Sequence, residues 1–250
     1  MNVKWKFSLL LVCLLVSNGY PLTLTDLLAR SRVFLRDTSP DTTLQKFSDT
    51  QLTRFLNDGQ KEVNLQTWAV IASTRFQLSA GTTEYSLPST YILPLRMTFN
   101  NSPIVERTFS FLDESQSDWI NTSGIPDSYY IRTDSAVVSG VTRECVGLIP
   151  VTTFTAVAEL QFLAAPTDLA TGSDVPFGSD NNRLYGFHQV LAYFAAYRGF
   201  LSMGLIDSAA IYYQEYTKLV TAMESSLKSR LNFNPSYRGQ LPRPVQTQQQ

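Results

Sequence analysis

Residues 48–63, with the sequence SDTQLTRFLNDGQKEV, decide how the first part of the chain folds. Ser48 and Gln51 match the S-x-x-Q capping box, in which each side chain satisfies a backbone N–H group of the other residue at the start of a helix. The apolar side chains that follow recur at helical spacing: Leu52, Phe55, Leu56 and Val63. This stretch predicts an amphipathic helix that runs to about Ala72.

A shorter helix is predicted upstream, over residues 23–36. Thr23 is a suitable cap, and Asp26 stands three residues on, where an acidic side chain complements the helix N-terminus. In the second helix, Gly59 interrupts the apolar stripe at a cost of about 1 kcal/mol relative to alanine. We expect this glycine to let another helix approach closely.

The hydrophobic pattern changes from helical to alternating at Phe76. Gly and Pro punctuate the region that follows, as they do in a sandwich or barrel. We therefore expect residues 74–165 to form a β domain of about seven strands. The predicted strand segments are residues 76–78, 85–87, 91–99, 104–111, 129–132, 136–141, 145–149 and 156–163.

Two helices are predicted after this domain. Asn181 or Asn182 can cap the first, and Gly204 suits its C-terminal end. Asp207 is expected to cap the second. That helix has apolar residues at alternating spacings of four and three, which is typical of a packing seam: Ala209, Tyr213, Tyr216, Val220, Met223 and Leu227.

The fold class predicted from these elements is α+β. A helical unit of two N-terminal and two C-terminal helices holds an inserted antiparallel β sandwich or barrel-like domain and ends in an extended tail. The predicted segments are an apolar leader (1–21), N-terminal helices (22–73), the β domain (74–165), a linker (166–182), the C-terminal helix pair (183–231) and the tail (232–250).

Composition argues against an enzyme or a metalloprotein. The net charge of −1 gives no reason to expect a nucleic-acid binder. His188 is the only histidine, and Cys145 is the only cysteine outside the leader. These residues cannot supply a zinc site of the usual type or a disulfide framework, and we expect no cofactor. His188 fits a packing or capping role better than that of a catalytic base.

Two groups of carboxylates invite a chemical interpretation. Asp113, Glu114 and Asp118 have the composition of an acid–base pair, but they lie among Ser and Gln, which favours a solvated loop. The second group is spread over the linker at a spacing that fits no known calcium loop. It consists of Asp168, Asp174 and Asp180.

The last two helices are rich in tyrosine. At helical spacing, packing between helices is the favoured role, a subunit interface is the second and a ligand site the third. These tyrosines are Tyr185, Tyr193, Tyr197, Tyr212, Tyr213 and Tyr216. From residue 225 onward the chain carries four basic residues and no acidic one. We expect this tail to be unfolded in isolation and to order on a partner.

The leader resembles a secretion signal. Lys4 and Lys6 precede an apolar run, residues 7–16, that is too short to span a membrane. Either the chain is exported, or the start codon is placed too far upstream and translation begins near Leu22. Taken alone, the leader favours export.

Several motifs, taken in order, are similar to phage head–tail adaptor proteins. Residues 27–38 (LLARSRVFLRDT) resemble their short Leu/Arg-rich first helix, and residues 47–63 resemble the run that follows it. A β region comes next. Three further segments resemble the helix pair that closes those proteins: Leu184-Tyr185, residues 191–198 (LAYFAAYR) and residues 210–216 (AIYYQEY). The resemblance covers about residues 22–230 and favours a misplaced start over export.

The resemblance implies a non-enzymatic structural protein of the virion. The subunit would belong to a ring of about twelve copies, bound to the portal above and to a tail or nozzle protein below. The ring would line a DNA passage at the head–tail junction after assembly in the host cytoplasm, without membrane contact. The tail would order on the portal. The candidate interface residues are Tyr213, Tyr216, Lys228, Arg230, Arg238 and Arg243. The competing hypothesis is an exported β-rich bacterial surface binding protein.

Overall fold

The computed structural model describes residues 20–115, 118–132, 137–138, 141–142 and 144–228. The chain divides into two compact units, a helical unit from residues up to Ala69 and from Asp168 onward, and a β unit over Val70–Thr167. The β unit is thus an insertion in the sequence of the helical unit, and the predicted α+β class is confirmed. Most of the predicted leader and the chain beyond Lys228 lie outside the described residues.

The helices of the described chain are five in number, and the third of them belongs to the β unit. They are α1 (Leu24–Leu35), α2 (Asp49–Thr67), α3 (Phe109–Ser115), α4 (Gln189–Ser202) and α5 (Ile206–Lys228). Short 3₁₀ turns occupy Thr42–Leu44, Trp119–Asn121 and Asn182–Phe187.

The predicted capping box at Ser48 is present, and the predicted cap Thr23 forms a second box with Asp26. The Thr23 hydroxyl accepts from the Asp26 backbone N–H at 3.3 Å, and the Asp26 carboxylate accepts from the Thr23 N–H at 2.9 Å. Ser48 and Gln51 make the same reciprocal pair at 3.2 and 3.0 Å. Because each box satisfies two backbone donors that a helix start leaves free, the local sequence sets where α1 and α2 begin.

The predicted ends of three helices need correction. Helix α2 stops at Thr67 rather than near Ala72, because Trp68 adopts the left-handed conformation with φ of 57°. The segment expected to begin the third predicted helix is the 3₁₀ turn, and Asn181 does not cap it. Instead the Asn181 side-chain amide donates to the Ala69 carbonyl at 3.2 Å. Asp207 lies inside the first turn of α5, which begins at Ile206.

Gly59 lies where α2 meets α4, as predicted. A Cβ at this position would stand 2.7 Å from Cδ1 of Phe194, which is closer than real side chains approach. A second such contact joins α4 and α1, because a Cβ at Gly199 would stand 2.6 Å from a methyl group of Leu35. Glycine at these two crossings lets the N-terminal and C-terminal helices pack against each other.

The strands of the β unit are β1 (Ile71–Leu78), β2 (Glu84–Ser86), β3 (Tyr91–Phe99), β4 (Ser102–Glu106), β5 (Ser123–Gly124), β6 (Ser128–Arg132), β7 (Val137–Val138), β8 (Val141–Thr142), β9 (Cys145–Ile149), β10 (Val151–Thr152) and β11 (Ala156–Ala164). Seven of them form one sheet in the order β1-β11-β3-β4-β6-β9-β2. The sheet curls into a nearly closed, barrel-like form.

The core of the β unit follows from alternation along β1 and most of β11, whereas every residue of β9 is buried. In β11, Ala158 and Leu160 are fully buried, while Val157, the residue before Ala158, is 42% exposed. Inward side chains of the seven strands form a single apolar cluster. It is formed by Phe76, Leu78, Leu87, Met97, Phe99, Ile104, Tyr129, Val146, Leu148, Ala156, Ala158, Leu160, Phe162 and Ala164.

The sheet is mixed rather than wholly antiparallel, because β4 pairs with β6 in the parallel direction. The strand predicted over residues 104–111 was wrong in its second half. The strand stops at Glu106, and Phe109 begins the helix α3. The chain that follows α3 leads to β6, which lies beside β4 in the sheet. The strand predicted over residues 136–141 was also wrong, since β7 and β8 pair there as a separate two-stranded antiparallel sheet.

Replacing Gly59 with alanine tests the α2–α4 contact. Alanine gains about 1 kcal/mol of helix propensity, but its methyl group would overlap the buried Phe194 ring. We expect Gly59→Ala to lower the free energy of unfolding by about 1–3 kcal/mol in urea denaturation. The control is Arg54→Ala on the exposed face of the same helix, with an expected change within about 0.5 kcal/mol. A more stable Gly59→Ala protein would contradict the close contact.

Candidate interaction surfaces

The carboxylates of the first candidate group serve local structure. Asp113 accepts a hydrogen bond from the indole N–H of Trp119 at 2.8 Å. Asp118 accepts from the Asn121 amide at 2.6 Å, and Glu114 is exposed on α3. The three do not form a buried acid pair, so their positions offer no acid–base chemistry.

The linker carboxylates are also engaged with protein groups. Asp174 accepts hydrogen bonds from the Thr171 hydroxyl and from the backbone N–H groups of Thr171 and Ala170, the last two at 2.8 and 2.7 Å, and together they lower the pKa of its carboxyl group. Asp168 forms an ion pair with Lys61 at 2.8 Å. No group of three or more His, Cys, Asp or Glu side chains in the described chain is placed to hold a metal ion.

His188 is a buried structural residue of the helical unit. Its Nδ1 accepts a hydrogen bond from the Leu22 backbone N–H at 3.2 Å. The side chain is fully buried, next to the rings of Phe177 and Tyr185 at 6.2 and 5.4 Å. Burial lowers the pKa of His188 from 6.5 to about 4, because the charged form would lose its hydration. The neutral imidazole ties the N-terminal segment to the start of α4.

The tyrosines of α4 and α5 serve mainly to join helices. Phe34 of α1 stacks on Tyr193 with ring centroids 4.9 Å apart. The Tyr212 hydroxyl donates to the Phe34 carbonyl at 3.1 Å, which binds α5 to α1. Tyr216 is 1% exposed and donates to Glu62 of α2 at 3.1 Å. Tyr216 therefore belongs to the core of the helical unit.

Tyr213 differs from the other tyrosines of α5. It is 46% exposed, and its ring packs on Tyr197 with centroids 5.0 Å apart. Ile206 precedes it by seven residues, two helical turns, so both lie on the same side of α5. Lys228 closes α5 and pairs with Glu224 one turn before it. The predicted interface residues Arg230, Arg238 and Arg243 lie outside the described part of the chain.

An exposed apolar cluster occupies the turn between α4 and α5. Leu201, Leu205 and Ile206 are 43%, 48% and 69% exposed. We call these three residues the hairpin tip. Apolar side chains that stay exposed at a helix–helix turn do not contribute to the hydrophobic core. A cluster of them is typical of a surface that contacts another protein. With Tyr213 it extends along one side of α5.

A second exposed surface is an aromatic groove of the β unit, with a volume of about 380 Å³. Its floor holds Trp119 and Tyr130, whose ring centroids are 5.3 Å apart. Phe109 and Ile120, 37% and 61% exposed, stand at its sides. Glu84 accepts from the Tyr130 hydroxyl at 3.0 Å and from Arg132 at 2.9 Å, which fixes a carboxylate at one side.

Sequence reasoning missed both surfaces. A signal for the hairpin tip is visible, because three large apolar side chains flank Gly204 where turn residues are usually polar. The aromatic groove carries no local signal. Its residues come from β2, α3, the following 3₁₀ turn, β6, β9 and β10, and only the curled sheet brings them together.

Comparison with known proteins identifies the family. The family model described as SU10 adaptor protein matches residues 22–240 of this chain, which is most of its length. The chain belongs to the SU10 adaptor protein family. This is a phage head–tail adaptor family, as the sequence resemblance predicted, and membership implies a structural, non-enzymatic role. No curated protein matches the chain. Among its described helices, none combines the length and apolar character that crossing a bilayer requires.

The buried His188 predicts how stability depends on pH. Its folded pKa of about 4 lies below the ordinary 6.5, so the unfolded chain binds more protons between these values. The stabilisation is present above pH 6.5 and lost as the pH falls toward 4. We expect the free energy of unfolding to fall by about 2 kcal/mol from this residue between pH 7 and pH 5.

The control variant for this pH effect is His188→Asn, whose side-chain oxygen can still accept from Leu22 but does not titrate. Because the chain has one histidine, the remaining pH slope of the variant reports the carboxylates alone. Urea denaturation at both pH values measures the difference. Equal slopes in the two proteins would show that His188 is not held neutral.

Proposed function

We propose that this protein is a structural ring subunit of a tailed-phage head–tail junction. The ring binds the portal on one side and a tail or nozzle protein on the other, and DNA passes through its centre. The observation that carries the proposal is the match of residues 22–240 to an adaptor family. An adaptor exists to join partners, so the exposed surfaces of the chain carry its function.

A closed ring requires two different surfaces on each subunit, since each copy meets its neighbours head to tail. The hairpin tip and Tyr213 supply one apolar surface on the helical unit. The aromatic groove supplies a second, separate surface on the β unit. Large apolar and aromatic side chains in such patches are the usual centres of protein interfaces. Two distinct surfaces on each subunit are what a closed ring of identical copies needs, and the copy number of about twelve comes from the resemblance to head–tail adaptors.

The basic tail is the proposed contact with the portal. Lys228 is followed by Arg230, Arg238 and Arg243 without any acidic residue. Basic charge of this kind favours an acidic protein surface and speeds encounter with it. If the tail segment that contacts the portal orders only when the portal is present, assembly is delayed until the capsid vertex is ready.

A charge placed on the hairpin tip tests the neighbour contact. We expect Ile206→Asp to weaken ring assembly on the cognate portal by about tenfold or more, because the interface would bury an unpaired carboxylate. Native mass spectrometry of the portal complex counts the bound copies. The control is Leu44→Asp, at an isolated apolar residue that is 71% exposed. Equal ring assembly in both variants would contradict the assignment of the hairpin tip.

Removal of the tail tests the portal contact. A chain truncated after Leu231 keeps every described helix and strand, so its circular dichroism should not change. We expect its affinity for isolated portal rings to fall by about tenfold or more, with a weaker salt dependence, since Arg238 and Arg243 are lost. Surface plasmon resonance at two salt concentrations measures both effects. Undiminished portal binding would contradict the role of the tail.

A further inference from the structure

The aromatic groove has the chemistry of a binding site for a short peptide. Phe109 contacts both Trp119 and Tyr130, with ring centroids 5.9 and 5.1 Å away. The volume of the groove, about 380 Å³, falls in the range of sites that bind small ligands or a few side chains. Because Trp119 and Tyr130 are locked by hydrogen bonds to Asp113 and Glu84, the aromatic surface is held in place before a ligand arrives.

Aromatic rings beside carboxylates select a particular kind of peptide. Proline packs its rigid ring on aromatic side chains at little entropic cost, and domains that bind proline-rich segments use aromatic-lined grooves. Arginine beside a proline adds attraction to nearby acids and to ring faces. Glu84 already forms an ion pair with Arg132. Asp113 is an exposed residue that lines the groove. Asp113 is thus the carboxylate best placed to meet a cationic side chain.

The chain itself contains a segment of this chemistry. Residues 241–245 read LPRPV, with Arg243 between Pro242 and Pro244. The charges are complementary, because residues 70–167 have nine acidic and five basic residues while residues 229–250 have three arginines and no acid. Twelve residues, 229–240, lie between Lys228, the end of α5, and Leu241. The thirteen Cα–Cα steps from Lys228 to Leu241 span at most about 45 Å when fully extended, which sets the reach of residue 241 from the end of α5.

We propose that residues 241–245 of one copy bind in the aromatic groove of a second copy. Pro242 and Pro244 lie against the rings, and Arg243 lies beside Asp113. This inference rests on the proposed ring, in which each copy has a neighbour to receive its tail. Lys228, Arg230 and Arg238 precede residue 241 and stay available to the portal, whereas Arg243 is assigned to the groove. The groove contact links neighbouring copies beyond their helical surfaces.

Photo-crosslinking in the full-length chain tests the occupant of the groove. A benzoylphenylalanine replaces Ile120 at the side of the groove, and a matched variant carries it at Val157, which is exposed on β11 outside the groove lining. Light and ¹⁵N-labelled copies are mixed without portal, irradiated, and analysed by peptide mass spectrometry. We expect Ile120 to capture residues 229–250 of the other isotope at about ten times the yield of Val157.

Three results would overturn the inference: equal yields at both positions, crosslinks only within one copy, or capture of other segments at Ile120.

Loss of the proline pair gives a second test without touching the groove. Pro242→Ala with Pro244→Ala should cut the Ile120 crosslink by about tenfold, whereas Pro235→Ala in the same tail should leave it unchanged. Equal losses in both variants would contradict recognition of residues 241–245.

These outcomes separate this inference from the proposed function. The crosslinking experiment contains no portal, whereas ring assembly is measured on the portal. A missing crosslink would therefore contradict the groove contact without contradicting the ring. Conversely, a crosslink between copies that never assemble on a portal would support the groove contact and contradict the adaptor ring. Repeating the experiment with portal present shows whether peptides of the portal displace the tail, a result that would also overturn the inference.

Discussion

The contact between Gly59 and Phe194 joins two parts of the chain that the entire β unit separates. Helix α2 alone has an apolar face without a partner, and so has the α4–α5 pair. Only their mutual packing, with Leu35 against Gly199 as the second crossing, buries both faces. The helical unit therefore requires both ends of the described chain at once. The two chain connections to the β unit, at Ala69–Val70 and Thr167–Asp168, follow from this requirement.

This arrangement divides the work of an adaptor between parts of the fold. Polar contacts that run between distant segments, such as Asn57 with the Leu169 backbone and Gln60 with the Phe177 N–H, fix the linker onto α2. The tyrosine hydroxyls of α5 bind the same helices from the other side. These contacts hold the helices and the linker together, while apolar residues at the hairpin tip remain exposed for a partner. The inserted β unit supplies a second surface whose chemistry is aromatic and acidic.

The features that sequence predicted are those encoded locally. The cap at Thr23, the capping box at Ser48 and the alternation of β11 depend on residues a few positions apart, and the glycine within the apolar stripe of α2 indicated the close approach at Gly59. The parallel β4–β6 pair and α3 were missed, because strand partners are chosen by the whole sheet and a hydrophobic run reads alike as strand or helix. Tyr213 and Tyr216 have the same local pattern, yet one is exposed and the other buried. Only the placement of α2 and α4 distinguishes them.

The central claim is that this chain is a structural part of a virion at the head–tail junction. Quantitative mass spectrometry of purified tailed particles from the source tests it most directly. The account predicts this protein in the particles at about twelve copies each, at the same stoichiometry as the portal and retained on tailless heads that have completed packaging. Absence from purified particles, with recovery of the protein in another fraction, would contradict the account.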